Sequence, residues 1–426
     1  MSFLLDARPS RRAPMLLLAA ALLSSAVSAW AGDQLTLAGA VQLAVQRSQQ
    51  LVAQGAAARA GRELAVAAAQ LPDPVLKAGI DNLPATGPDR GSVGADFMTM
   101  RRIGISQELV GVDKRKLRAE RFTLEAQQAD AQQVRLRAAI SRDTAQAWLE
   151  RHYAELAVTL LAEQREQISQ QARAAQSAYR GGRGNQADAL AADIAVLQAD
   201  DRLAAARQRA RAATLMLGRW TGDAAATAPL APAPAMERIP LDAVGLEEEL
   251  NQAPEIVALR RREDAAGAEV RLAQAERKSD WTFDVAWQQR GSAYSNMVSF
   301  GFSVPLQWDR AQRQDRTLSA RMAQADQAQA EREEAHRLHV AETRTLIEDW
   351  RSGQDRLRRY TAELLPQSAR NAEAALAAYR GAKASLAEVL AARRNDTEAR
   401  LAALQLEAET ARLWAQLNYI LPPEGQ

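Results

Sequence analysis

SAYRGGRGNQADALAA (residues 177–192) returns as AAYRGAKASLAEVLAA (residues 377–392), about 200 residues later. Tyr179, Arg180, Gly181, Ala187, Leu190, Ala191 and Ala192 recur as Tyr379, Arg380, Gly381, Ala387, Leu390, Ala391 and Ala392. Arg183 answers to Lys383, and Asp188 to Glu388. So long a period exceeds that of solenoid repeats and indicates duplication of half a protein. Around each copy the segments keep one order: a helical stretch, two alternating runs, a long helix, the YRG turn and a closing helix. The halves span residues 32–222 and 241–421. A Pro/Ala-rich linker, residues 223–240, joins them, and residues 422–426 form a tail.

Upstream of the first YRG turn, residues 113–177 hold no proline and no glycine and are rich in Ala, Gln, Arg, Glu and Leu. Roughly 65 helical residues make a rod on the order of 100 Å long. Leu136, Ile140, Ala147, Ala154 and Val158 recur at coiled-coil-like spacings. Residues 310–379 form the matching rod. It carries Gly353 and Pro366, and a bend or break is expected near Pro366. Gly181, Gly182 and Gly184 end the first rod and Gly381 the second, so each half presents a helical hairpin with a tight tip. Gly181 and Gly381 are expected to need a backbone conformation that a larger residue would strain.

Further upstream lie the alternating runs. In residues 281–290, Trp281, Phe283, Val285 and Trp287 share one face, and Thr282, Asp284, Ala286, Gln288 and Arg290 the other. Residues 296–306 alternate likewise, with Val298, Phe300, Phe302, Val304 and Leu306 opposed by Ser299, Gly301 and Ser303. Residues 75–82 and 97–109 hold the same places in the first half. An apolar, aromatic face opposite small or charged residues is the pattern of a transmembrane β-strand, with Phe283, Val285, Phe300 and Phe302 facing lipid. Four strands cannot close a membrane barrel, and lipid tolerates no open sheet edge. Several chains then share one barrel, and three give twelve strands.

The first 31 residues read as a secretory signal, with Arg8, Arg11 and Arg12 before an apolar core and Ala29-Trp30-Ala31 at the cleavage site. Its removal takes the formal net charge from +2 to about zero, so the basic balance carries no nucleic-acid signal. There is no cysteine, which excludes disulfides and thiolate metal sites. His336 and His339 share a helix face without further ligands, and Met98 and Met100 read as strand residues. No catalytic set, metal site or cofactor is indicated, and the chain is not read as an enzyme.

The chain resembles the TolC family of outer-membrane efflux channels over its whole mature length. Within that family it is most similar to the heavy-metal, CzcC-type branch. The segments carrying the resemblance are LPDPVLKAGIDNLPATGPDR (residues 71–90), DFMTMRRIGISQELVGVDKRKLRAE (residues 96–120) and YRGAKASLAEVLAARR (residues 379–394). The resemblance implies a homotrimer with a twelve-stranded outer-membrane β-barrel, continued by a long periplasmic α-helical barrel. It implies a periplasmic adaptor and an inner-membrane transporter of the resistance-nodulation-division type as partners, with outer-membrane lipid around the strands. Adaptor contacts would fall at the tips, on Gly181, Arg183, Asn185, Gly381, Lys383 and Ser385. Asp188 and Glu388 would sit at the pore entrance, though Ala391 stands where a second acid is often found. The linker would pack as a belt outside the helical barrel. The leading function is a passive exit duct for metal cations. The alternatives are the same duct for drugs or organic toxins, or a periplasmic coiled-coil adaptor.

Overall fold

The computed structural model describes residues 34–182, 184–241, 245–381 and 383–421; the signal-like segment, Arg183 and the tail lie outside them. Two short helices, α1 (Leu37–Arg47) and α2 (Gln49–Ala68), lead into strands β1 (Val75–Asp81) and β2 (Met100–Leu109). The rod α3 (Val112–Arg180) and the returning α4 (Gln186–Thr221) complete the first half. Short helix α5 (Asp223–Thr227) opens the linker and α6 (Leu246–Leu250) follows it. The second half runs α7 (Pro254–Ala275), β3 (Trp281–Gln289), β4 (Met297–Ser303), α8 (Gln314–Arg359), a π turn (Tyr360–Leu364), α9 (Leu365–Arg380) and α10 (Leu386–Asn418).

The first rod forms because nothing in it stops a helix. The 69 residues of α3 extend roughly 100 Å. Along that length α3 packs on α2 and α7 near the sheet, and on α4 and α10 further down. The second rod is not broken at Pro366. The proline lacks an N–H and its ring crowds the carbonyl four residues back. The chain takes up this defect just upstream, where Leu365 N–H reaches Tyr360 O in a single π turn. Gly353 does not interrupt its helix either. It lies buried in α8, and a β-carbon there would collide with the Thr410 hydroxyl of α10. The glycine lets these two helices approach closely.

The main apolar core sits midway along the rods, where the linker wraps them. Leu35 and the linker form a short parallel bridge, with Leu35 N donating to Pro229 O (2.8 Å) and Ala231 N to Leu35 O (3.1 Å). Two tryptophans fasten this belt to the rods. Trp148 Nε1 donates to Leu35 O (2.9 Å), and Trp414 Nε1 to Arg238 O (2.8 Å). Trp148 has no exposed surface, and Arg151 below it donates to Ala226 O. Each aromatic body joins the core while its N–H satisfies a backbone carbonyl, that of Leu35 for Trp148 and that of Arg238 in the linker for Trp414.

The strands form one antiparallel sheet in the order β1-β2-β3-β4, so the hairpins of the two halves lie side by side. The junction with the helices is pinned by a buried lysine: Lys114 Nζ bonds Asp280 Oδ2 (2.7 Å) and Lys278 O, and Gly111 N donates to Asp280 Oδ1 (3.2 Å).

Candidate functional site: the sheet and the hairpin tips

Residues directly opposite in a ladder share a face, so the register assigns every strand side chain. Phe283 faces Phe302, Val285 faces Phe300, and Trp287 faces Val298. Continuing across, Ile105 faces Val285, Ile103 faces Trp287, and Leu76 and Ala78 face Ile105 and Ile103. One face is therefore apolar across all four strands. Phe300 and Phe302 are 72% and 75% exposed in the single chain, a placement that water disfavours and hydrocarbon favours. Trp281 stacks on Phe302 at 6.3 Å between ring centres.

The other face is small and charged. Lys77 Nζ reaches across β2 to Asp284 Oδ1 on β3 at 2.6 Å. It crosses at Gly104, where a β-carbon would lie 2.7 Å from both Ala286 Cβ and Val285 O. This ion pair and its glycine were missed in the sequence, because they require β2 to neighbour β3. At the loop end, the Arg290 guanidinium donates to Phe97 O and lies 4.8 Å from the Tyr294 ring centre. Gly291 meets Gly94 there with no room for a side chain, so the loops of the two halves interlock. Strand β2 begins at Met100, not Phe97. Thr99 Oγ1 bonds Asn82 O (3.0 Å) and Asn82 Nδ2 bonds Met98 O (3.3 Å), which closes the loop just before the strand. Met98 therefore does not share a strand face with Met100.

The edges β1 and β4 have no strand partner on their outer sides among the described residues. Among the described residues, no helix is long and apolar enough to cross a membrane, and no three or more His, Cys, Asp or Glu could together hold a metal ion. Of the histidines singled out, His336 Nε2 lies 3.4 Å from Glu247 O, and His339 is half-buried with Nε2 unbonded. Burial lowers the His339 pKa against the opposing pull of Glu255 and Glu342, while His336 adds to the lowering.

The far ends of the rods bring both tips together. Ala172, Ala175 and Ala192 of the first hairpin pack with Leu386 of the second, flanked by Tyr379 and Leu390. Gly181 N donates to Ser177 O and Gly381 N to Ala377 O, both at 3.0 Å. The two glycines have φ −84° and −81°, so neither takes the left-handed conformation expected of them. At the first tip that role belongs to Gly182, φ +69°, because it follows the last helical turn by one residue. Residue 382, its counterpart, and Arg183 lie outside the described residues. Lys383 is exposed, with its N–H on Ala378 O (2.8 Å).

The closing helices start on different caps. Asn185 Oδ1 accepts from Asp188 N (2.7 Å). Ser385 Oγ accepts from Glu388 N (3.3 Å), while Glu388 Oε2 accepts from Ser385 N (2.9 Å), a reciprocal capping box. Glu388 is exposed and Asp188 half-buried.

No family model matches the chain, and no curated protein matches it in sequence. Solved structures do match it along nearly its whole length. The outer-membrane channel OprN is 21% identical, with a TM-score of 0.76 over 90% of this chain and 89% of that one. The outer membrane protein VceC from Vibrio cholerae is 18% identical, with a TM-score of 0.75 over 89% of this chain and 94% of that one. The CmeC outer membrane channel of Campylobacter jejuni is 14% identical, with a TM-score of 0.77 over 90% and 85%. The duplicated rods, the shared four-stranded sheet and the paired tips thus build the fold of outer-membrane channels.

Proposed function

We propose that three copies of this chain form an outer-membrane channel of the TolC family, the exit duct of a tripartite exporter. Its strands close a twelve-stranded barrel in the outer membrane, and its rods continue as a tube through the periplasm. The tips, with Gly181, Arg183, Asn185, Gly381, Lys383 and Ser385, meet a periplasmic adaptor coupled to an inner-membrane transporter of the resistance-nodulation-division type. Asp188 and Glu388 edge the entrance, where acidic side chains favour cations. The cargo is heavy-metal cations, a reading supported by the resemblance of residues 71–90 and 96–120 to metal-type channels. The duct itself is passive, and no catalytic step is assigned to it.

One observation carries this reading: a four-stranded sheet with an apolar, exposed outer face and two unpaired edges. Such a sheet is stable in lipid only when copies satisfy each other's edges. The test is fractionation followed by mass measurement in detergent. A particle of three chains from the outer membrane is expected, and a stable folded monomer would remove the architecture. For the cargo, deletion of the gene should sensitise cells to a divalent metal; sensitivity to organic toxins alone would assign the duct to them.

A further inference from the structure

We infer that the seam between copies sets Gly301 on β4 directly opposite Gly79 on β1 of a second copy. The inference rests on the three-chain barrel proposed above, and it fixes how that barrel closes. Three observations on the sheet carry it.

The first is direction. Val75, at the helix end of β1, faces Ser106, which in turn lies across from Asp284, which lies across from Gly301. Those three residues lie two or three positions inside the helix ends of their own strands, which are Leu109, Trp281 and Ser303. The line perpendicular to the strands therefore climbs from the helix end toward the loop end as it crosses one copy. In a three-fold barrel the next copy's Val75 stands level with the first. Gly301 must then meet β1 of that copy above Val75, not at it.

The second is face matching. Leu76, Ala78 and Ile80 share the apolar face with Val298, Phe300 and Phe302, and Gly79 shares the inner face with Gly301. A slip of one residue would turn every side chain of one strand to the wrong solvent. Only Lys77, Gly79 or Asp81 can therefore stand opposite Gly301.

The third is barrel geometry. Twelve strands tilted by roughly 35–45° need a total stagger of about 12 to 18 residues, given about 3.3 Å per residue and about 4.8 Å between strands. Lys77 opposite Gly301 gives a stagger of only about 6, too upright a barrel. Asp81 opposite Gly301 gives about 18, but it puts Pro305, which has no N–H to donate, against Lys77 and inside the ladder, where proline is disfavoured. Gly79 opposite Gly301 gives about 12. It pairs Leu76 to Asp81 with Val304 back to Ser299 and places Pro305 against Val75, at the end of the ladder.

The natural absence of cysteine makes the chain its own background for a cross-linking test. Both glycines can accept a side chain: a β-carbon at Gly79 meets nothing within 4 Å, and one at Gly301 meets only Asp284 Cβ at 3.7 Å. Opposed residues in an antiparallel pair have Cα atoms about 4.5–5.5 Å apart, inside the range of a disulfide. The Gly79→Cys/Gly301→Cys protein, oxidised in membranes, should run as a covalent trimer on a boiled gel and return to monomer on reduction. Asp81→Cys/Ser299→Cys tests the same register should the first pair fold poorly. Gly79→Cys with Ser299→Cys or with Ser303→Cys should cross-link several-fold less. Stronger linkage through either of those pairs, or a trimer that neither in-register pair links, would overturn the register while leaving the assembly intact. A detergent particle of some other chain number would instead overturn the assembly.

Discussion

In the first half, α3 runs 69 residues from the sheet to its tip without a break; in the second half the matching rod passes through a π turn at Tyr360–Leu364. The tips differ in step. Tyr179 is 44% exposed, whereas Tyr379, its twin in the repeat, packs against the cluster formed by Leu386 and the alanines of the first hairpin. The strands differ as well: β1 and β2 present aliphatic side chains on the outer face, β3 and β4 aromatic ones. Duplication kept the order of elements, and the residues within it diverged toward unequal tasks. The first rod is an unbroken mast. The second hairpin is fitted to it, with the π turn setting which face of α9 and its tip meets the first hairpin.

The sharpest way to break this contrast is to remove one residue from each rod. Deleting exposed Gln167 from α3 would rotate everything from Ile168 to the tip by about 100° and carry Ala172 and Ala175 off the tip cluster. A loss above about 3 kcal/mol is expected. Deleting Glu363 together with Pro366→Ala should let the π turn relax to an α turn and leave Ala372 and Tyr379 on their faces, at under about 1 kcal/mol. Denaturant unfolding followed by circular dichroism reads both. Equal losses would mean that the π turn does not absorb a residue.

Next in size is the sheet. In the membrane barrel proposed above, Phe302→Arg should cost about 2–4 kcal/mol and reduce membrane insertion. Ile105→Arg, on the same face in the other half, should behave alike despite the aliphatic setting. Ser303→Arg, on the inner face, should be milder. A larger insertion defect from Ser303→Arg than from Phe302→Arg would show that the faces are inverted, and equal defects would remove the distinction between them.

The faces of the strands were readable in advance because alternation is a local pattern, carried by Trp281, Phe283, Val285 and Trp287 in nine residues. The rods were readable for the same reason, as long tracts of good helix formers. What the sequence hid depends on partners far along the chain. Lys77 and Asp284 are 207 residues apart and meet only because β2 lies beside β3. Gly353 looks like a helix breaker until Thr410 of α10 is placed against it. At the tip, several clustered glycines offer more than one candidate for the left-handed position. Gly182 takes it because α3 runs on to Arg180, a boundary that tertiary packing decides.

A smaller effect separates two core tryptophans. Trp148 in α3 is fully buried and bonded to Leu35 O, whereas the Trp350 Nε1 in α8 is buried without a partner. Trp148→Phe should lower stability by about 1–2 kcal/mol, through the lost bond and lost contact with the belt. Trp350→Phe removes an unsatisfied donor along with some volume, and should lie within about 1 kcal/mol of the parent. Thermal unfolding of the two single variants compares them. A larger loss at Trp350 would place the stability of the belt in the second rod, against the contrast drawn above.

The smallest effect is the most informative about the tips. Glu388 has two separable properties, its charge and its bond to Ser385 N. Glu388→Gln keeps an acceptor for that bond and removes the charge. Stability should fall by under about 1 kcal/mol, the size of a carboxylate's interaction with a helix N-terminus. Ser385→Ala does the reverse: it breaks half of the capping box, costs about 1 kcal/mol and leaves the charge in place. Asn185→Ala removes the single bond that Asn185 and Asp188 share at the first tip, at a similar cost. The purified proteins, reconstituted in planar bilayers, then divide the roles. If the carboxylate edges the entrance, Glu388→Gln lowers cation selectivity, while Ser385→Ala and Asn185→Ala leave it unchanged. Selectivity that follows the caps, or that none of the three changes, would reduce Glu388 to the start of a helix, and the repeated stretch would then mark two turns of the same shape with no share in the pore.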